Sequence, residues 1–276
     1  MKKSITLFFA SFCILGASAL TVSQPVKIGI EGPAHNPVLS ADGSTMLFSS
    51  DNHTGLKAFN LKNGDITVLD ESMGAGFNPI FSIDGNTVVY QTAELIDGLL
   101  NRDVRSFDLK TGKTELIANM SRNDINLNEL SGHADYVKAD YDCIIVAKDG
   151  MTTRLRPIEN AHSYLWASMS PDGKKITFVE PFQGVFVSNP DGTQARCIAK
   201  KGAFPSWAGN NLITFTLSHD DGYVILDSTL KIYDLSTEIT VDLTPADVKV
   251  GESTSSADGT VIYSTLDGDL YKISVK

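Results

Sequence analysis

Along this chain apolar and polar positions alternate with a period of two, in short runs parted by glycine, asparagine and aspartate, and no stretch beyond residue 19 keeps a useful helical period. The pattern repeats at a longer interval. Asn36 to Ser50 reads NPVLSADGSTMLFSS and returns as NPIFSIDGNTVVYQT (Asn78 to Thr92), WASMSPDGKKITFVE (Trp166 to Glu180), FPSWAGNNLITFTL (Phe204 to Leu217) and ESTSSADGTVIYST (Glu252 to Thr265). A worn copy, DYVKADYDCIIVAK, spans Asp135 to Lys148 and has lost the glycine of its turn. Asp42 to Asp84 is 42 residues, Asp84 to Asp172 is 88 and Asp172 to Asp258 is 86, so the last two intervals each hold two copies. Six copies of about 43 residues match the size of a four-stranded propeller blade.

Within each copy the chemistry is that of a β-meander. A first strand ends in Ser-x-Asp-Gly, where the aspartate bonds the backbone two residues on and the glycine accepts a positive φ, so the chain reverses. A β-branched and aromatic strand follows, with Phe48, Tyr90, Ile145, Phe178, Phe215 and Tyr263 at matching places. A third strand carries the pairs Phe59/Leu61, Phe107/Leu109, Tyr233/Leu235 and Tyr271/Ile273, and a fourth, such as Ile66 to Leu69, closes the unit. The predicted fold is all-β: one six-bladed β-propeller of four-stranded antiparallel blades over residues 20–276, with blades near 34–70, 77–118, 133–159, 164–199, 203–243 and 252–276. The last copy supplies three strands only, and the stray strand Pro25 to Glu31 is expected to complete it, leaving no open sheet edge where the ring meets.

The motif Pro37-Val38-Leu39-Ser40-Ala41-Asp42-Gly43, with Pro79-Ile80-Phe81-Ser82-Ile83-Asp84-Gly85, Ser170-Pro171-Asp172-Gly173 and Pro205-Ser206-Trp207-Ala208, resembles the WD-repeat-like propeller repeat of TolB-type periplasmic proteins. The resemblance covers nearly all of residues 20–276 and leaves no room for the N-terminal domain that TolB carries. It implies a fold and a compartment, because such a motif is a folding signature with little to say about activity.

The first 19 residues read as a secretory signal peptide: Lys2 and Lys3, an apolar run from Ile5 to Leu15, then Ala17-Ser18-Ala19. The run is too short to span a bilayer, so the expected product is periplasmic or secreted, cut after about Ala19. Cys143 and Cys197, in strand-like runs, read as unbridged thiols. With 23 Lys+Arg against 33 Asp+Glu the formal charge is -10, and no basic cluster is present, which excludes nucleic acid and anionic membrane surfaces as partners.

In such a blade the Asp-Gly turns share one face of the disc, while inter-blade links and second-to-third strand loops share the other. All five histidines fall on the second set. His35 and His162 lie in links, His133 at the start of a blade, and His53 and His219 in loops. The longest connections are also there: Ala93 to Arg102, which holds Asp97 and Arg102, Asn119 to Gly132, and Ser218 to Ser228, which holds Asp220 and Asp221. Tyr164 and Trp166 offer a sugar-stacking pair or part of the core. These eleven residues, His35, His53, Asp97, Arg102, His133, His162, Tyr164, Trp166, His219, Asp220 and Asp221, form the candidate binding face.

Catalytic motifs are missing: there is no Gly-x-Ser-x-Gly, no His-Glu-x-x-His and no phosphate-cradling glycine loop. The leading expectation is therefore a non-enzymatic binding or scaffold module, without cofactor, for a protein or glycan partner of the cell envelope. The alternative is a metal-dependent lyase or hydrolase of acidic oligosaccharides, in which the histidines and Asp220-Asp221 hold a divalent ion. Propeller lyases acting on pectic oligosaccharides hold a metal with histidines on such a face, and the chain resembles them in general architecture.

Overall fold

The computed structural model describes residues 20–121 and 126–276; the signal peptide read in residues 1–19 lies outside them. After a short strand β1 (Val26–Lys27), the first blade holds β2 (His35–Leu39), β3 (Thr45–Ser49), β4 (Leu56–Asn60) and β5 (Ile66–Asp70). The second holds β6 (Ile80–Phe81), β7 (Thr87–Ile96), β8 (Leu99–Asp108) and β9 (Thr114–Ser121). A single helical turn, α1 (Leu127–Leu130), precedes the third blade, which has three strands among the described residues: β10 (Tyr136–Asp140), β11 (Cys143–Lys148) and β12 (Met151–Leu155). The fourth holds β13 (Leu165–Met169), β14 (Ile176–Glu180), β15 (Gly184–Ser188) and β16 (Arg196–Lys200). The fifth holds β17 (Gly202–Trp207), β18 (Leu212–Asp220), β19 (Ile225–Asp234) and β20 (Ile239–Asp242). The sixth holds β21 (Val250–Ser255), β22 (Thr260–Thr265) and β23 (Leu270–Ser274), with β1 as its outermost strand, antiparallel to β23. Among the described residues all strand pairings are antiparallel and, β1 with β23 apart, join consecutive strands; no helix among them is long and apolar enough to cross a membrane.

The Ser-x-Asp-Gly turns are built alike. The Ser40 hydroxyl donates to Asp42 Oδ1 at 2.7 Å and accepts from the Thr45 N–H at 3.0 Å, Asp42 Oδ1 also accepts from the Ser44 N–H at 3.0 Å, and Gly43 takes φ +65°. The same serine–aspartate bond recurs at Ser82–Asp84, Ser170–Asp172 and Ser256–Asp258. These donors hold the Asp42, Asp84 and Asp172 carboxyls below the ordinary range, Asp84 at about 2 through the Ser82 hydroxyl and then Asn86. At Asp258 partial burial pushes the other way and the donors outweigh it.

The core lies between blades. Phe48, Tyr90, Phe178, Phe215 and Tyr263, the aromatic residues of the second strands, are all buried. Polar links tie neighbouring blades: Tyr90 Oη donates to Asp70 Oδ2 at 3.0 Å, and the Ser255 N–H donates to Ser206 Oγ at 2.9 Å. In the third blade the core position is Ile144 rather than Ile145, which is half-buried, so the worn repeat sits one residue out of register with the others.

The third blade also departs in direction. A blade of four strands returns the chain to the face on which it entered, whereas three strands deliver it to the opposite face. The Ser121 end of β9 pairs with Arg102, on the long-hairpin side. His133, just before β10, instead places Nε2 at 2.9 Å from the Phe81 carbonyl, beside the Ser82–Asp84 turn. At the other end of β10 the Tyr141 carbonyl accepts from the Tyr164 N–H at 2.7 Å, next to the start of β13. Lys148, at the far end of β11, reaches the Gly173 carbonyl in an Asp-Gly turn at 3.3 Å. Thus β10 runs against its neighbour β13, and the turn at Tyr141, where φ is +41°, lies on the face opposite the Asp-Gly turns. The six antiparallel blades stand as expected, and the third, with three strands among the described residues, sets its inner strand against that of the fourth.

Around β1 the two ends of the described chain run together. The Thr21 N–H donates to the Lys276 carbonyl at 2.8 Å and the Lys276 N–H to the Thr21 carbonyl at 3.0 Å. Ser23 N–H bonds the Ser274 carbonyl, and Ile28, buried, bonds the Leu270 carbonyl.

Two outcomes are expected. A chain beginning at Ile28 loses the outer strand of the sixth blade and should be destabilised by about 2–4 kcal/mol, a fall of about 5–15 °C in Tm; an unchanged Tm would show that this pairing holds nothing together. Because the turn aspartates have lowered pKa values, their stabilisation is complete above pH about 4 and drains as pH falls towards about 2. Replacing Asp42, Asp84, Asp172 and Asp258 by Asn should flatten the stability–pH curve in that window, measured by urea unfolding at stepped pH.

Candidate functional site

The long connections expected at 93–102 and 218–228 are hairpin ribbons rather than loops. Strands β7 and β8 stay paired from Thr87–Asp108 out to Ile96–Leu99, turning at Asp97 (φ +52°) and Gly98, and β18 and β19 stay paired out to Asp220–Ile225. They belong to blades two and five, which lie three apart in a ring of six and so stand on opposite sides of the central channel. Both carry exposed apolar residues near their tips: Leu95, Leu99 and Leu100 on one, and Tyr223 (95% exposed), Val224 and Leu226 on the other.

Between them, the first residue of each well-formed repeat copy sits where its inner strand begins. Asn36, Asn78, Trp166 and Phe204 all have positive φ, between +46° and +54°, and the ladder shifts register around positions 36, 166, 204 and 252. A bulge at such a place re-aims a side chain. For Trp and Phe a left-handed backbone costs about 1–3 kcal/mol, so its recurrence at one structural position marks a place where side-chain direction matters more than stability.

Two chemistries result. On blades four and five, Trp166 (43% exposed) lies against Phe204, with ring centroids 4.3 Å apart at 43°. On blades five, six and one, Phe204, Glu252, Asn36, His35, His53 and Ile225 line a cavity of about 420 Å³. The Asn36 amide is assigned from its surroundings, with the NH2 towards the carboxylate: it donates to Glu252 Oε2 at 2.6 Å and Oε1 at 3.0 Å, while its carbonyl accepts from Ser49 Oγ at 2.7 Å. His53 Nδ1 is 3.0 Å from that carbonyl oxygen, and His35 Nε2 is 3.0 Å from Asp51 Oδ1 at the rim. Burial pushes the Glu252 carboxyl above its ordinary range, against the pull of the His53 and His35 rings and the Asn36 N–H.

The remaining candidates scatter. Arg102 lines a smaller cavity of about 220 Å³ with His53, Phe77, Gln91 and Leu100. His162 is exposed; its ring meets Phe182 at 4.6 Å and Nδ1 is 3.3 Å from Glu180 Oε1. Glu180 is fully buried and, although burial raises its carboxyl, the N–H groups of His162, Phe182 and Gln183 hold it below the usual range, so it caps the loop. His219 faces Asp227 at 3.6 Å, and Asp220 and Asp221 accept the N–H groups of Gly222, Tyr223 and Val224 in their own turn. Tyr164 is 1% exposed, packed on Phe178 with its hydroxyl bonded to Ile158, so it belongs to the core and Trp166 takes Phe204 as its neighbour instead. His133 is carried to the Asp-Gly face by the inverted blade, where it borders a cavity of about 1050 Å³ with Phe81, Asp84 and Asp135. Among the described residues no group of three or more His, Cys, Asp or Glu side chains is placed to hold a metal ion, and Cys143 and Cys197 are both free thiols.

The repeat alignment held the signal for Asn36, Asn78, Phe204 and Glu252, because each quoted copy begins with that position. Their differing chemistry hid the shared geometry.

No protein-family model matches the chain, and no curated protein matches it. Among solved structures, putative TolB from Agrobacterium tumefaciens superposes with a TM-score of 0.57 at 14% identity, over 95% of this chain and 99% of that one. TolB from Acinetobacter baumannii gives 0.53 at 16% identity, over 76% of this chain; the match spans about half (54%) of that longer protein. The β-propeller domain of Myceliophteria thermophila Cps50 (Swd1) gives 0.55 at 9% identity, over 90% and 99%. At these identities the likeness is one of fold: the chain is a six-bladed β-propeller, similar in fold to these TolB structures.

A carboxyl with a raised folded pKa makes its charged form a cost to the fold, present in full at neutral pH and removed as pH falls through that pKa. E252Q should therefore melt at or above the parental temperature at pH 7, with the difference gone below pH about 4; a large loss of stability at pH 7 would make Glu252 a structural residue.

Proposed function

We propose that this chain is an exported, non-enzymatic binding module that holds a protein or glycan partner of the cell envelope against its long-hairpin face. The observation that carries the reading is the shared start of the inner strands at the mouth of the channel, strained at Trp166, Phe204 and Asn36 and occupied by Glu252 on the sixth blade, flanked by two apolar hairpins. A packed ring of sheets is a rigid scaffold, and rigid scaffolds put recognition on the connections they display. The hairpins supply the large apolar contact that binding needs, since exposed clustered hydrophobic residues on a soluble protein mark an interaction surface. The wedge of aromatic, amide and carboxylate groups between them gives orientation. The apolar run and small residues of 1–19 support export.

The test uses the intact protein as bait in envelope extracts, with captured material quantified after crosslinking. Replacing Leu95, Leu99 and Tyr223 together by Asp should reduce capture more than tenfold while circular dichroism stays unchanged. Ile83→Asp, at an exposed site on the Asp-Gly face, should leave capture intact. Capture that survives the triple change, or that falls equally with Ile83→Asp, removes this face from consideration.

A further inference from the structure

Glu252 differs from the other enclosed carboxylate, Glu180, in what it lacks. Glu180 accepts three backbone N–H groups and faces His162. Glu252 receives its side-chain hydrogen bonds from the Asn36 amide, and among the described residues no lysine or arginine forms an ion pair with it. A carboxylate offers about four lone-pair directions, of which the Asn36 side-chain NH2 takes two and the Asn36 backbone N–H a third. What remains faces a cavity whose lining holds the His35 and His53 rings but no lysine or arginine, and whose rim carries a second carboxylate, Asp51. That potential repels anions and favours one positive group of small size.

We propose that this cavity, on the binding face described above, receives the side chain of a lysine from a protein partner. Its ammonium meets the Glu252 carboxylate, and its methylene stem lies along Phe204 and Ile225. The reading rests on the binding-module assignment and adds the chemistry of its central contact. The Phe204 ring, backed by Trp166, gives the cation an aromatic face. A cavity of about 420 Å³ is ample for one long side chain. Lysine fits better than arginine because the Asn36 NH2 already bridges both carboxylate oxygens, at 2.6 and 3.0 Å, which obstructs the paired approach of a guanidinium fork but not a point charge. A protein fits better than an amino sugar because the flanking hairpins present Leu95, Leu99, Tyr223 and Val224, aliphatic and aromatic surface suited to a folded partner.

The experiment titrates the purified protein with Nα-acetyl-lysine amide, its Nε-acetylated form, Nα-acetyl-arginine amide and glucosamine, following tryptophan emission and heat of binding. Trp166 is exposed and Trp207 is buried, so the emission change reports this site and should vanish in W166F while the heat remains. Lysine amide should bind at least tenfold more tightly than the other three probes, and E252Q should weaken it at least tenfold. Absence of lysine-amide binding, equal binding by E252Q, or an arginine, acetylated or amino-sugar probe binding as well would overturn the proposal. Partner capture that persists in E252Q while the hairpin variant loses it would leave the binding face standing and remove the lysine subsite alone.

Discussion

Whether a blade has an even or an odd number of strands decides where everything else in this molecule goes. Four antiparallel strands bring the chain back to the face it left, so the inner strands of the first, second, fourth, fifth and sixth blades all begin at the same mouth. That common beginning gathers Asn36, Asn78, Trp166, Phe204 and Glu252 at equivalent places, although they are far apart in sequence. The third blade, with three strands, is turned over, and its inner strand contributes nothing at that level. The mouth is therefore asymmetric, with an aromatic side on blades four and five and an acidic, imidazole-bearing side on blades six and one.

Energetics follow the same division. The Asp-Gly face is rich in satisfied groups: each turn aspartate accepts several hydrogen bonds and gains from being charged. The opposite mouth holds the left-handed Asn36, Asn78, Trp166 and Phe204 and, among the described residues, the carboxyl whose pKa is raised. Folding is served by one face, while the other retains groups that the fold alone would replace, as expected of a surface kept for recognition.

Most of the architecture could be read from residues. The Ser-x-Asp-Gly turn and the aromatic second strand are local signals, and local signals gave the blade count, the core residues Phe48, Tyr90, Phe178, Phe215 and Tyr263, and the isolated strand ahead of the first repeat. What escaped was whatever depends on the path between units. The worn copy at Asp135 to Lys148 was recognisable as strand, turn and strand, but its orientation is set by strand parity, which no residue in it encodes, and His133 went to the wrong face with it. The ribbons ending at Asp97 and Tyr223 read as loops because charges and glycine near their tips masked pairing that continues to the turn. Tyr164 and Trp166 are two residues apart, so on a strand they should share a side; the bulge between Leu165 and Ser168 separates them into core and surface.

The mutual hydrogen bonds of Thr21 and Lys276 have a bearing on biogenesis. During vectorial synthesis the sixth sheet must wait for its final strand, whose outer neighbour emerged among the first segments. Joining segments some 250 residues apart makes this the contact with the largest loop-closure cost in the sixth sheet, and so one that forms late.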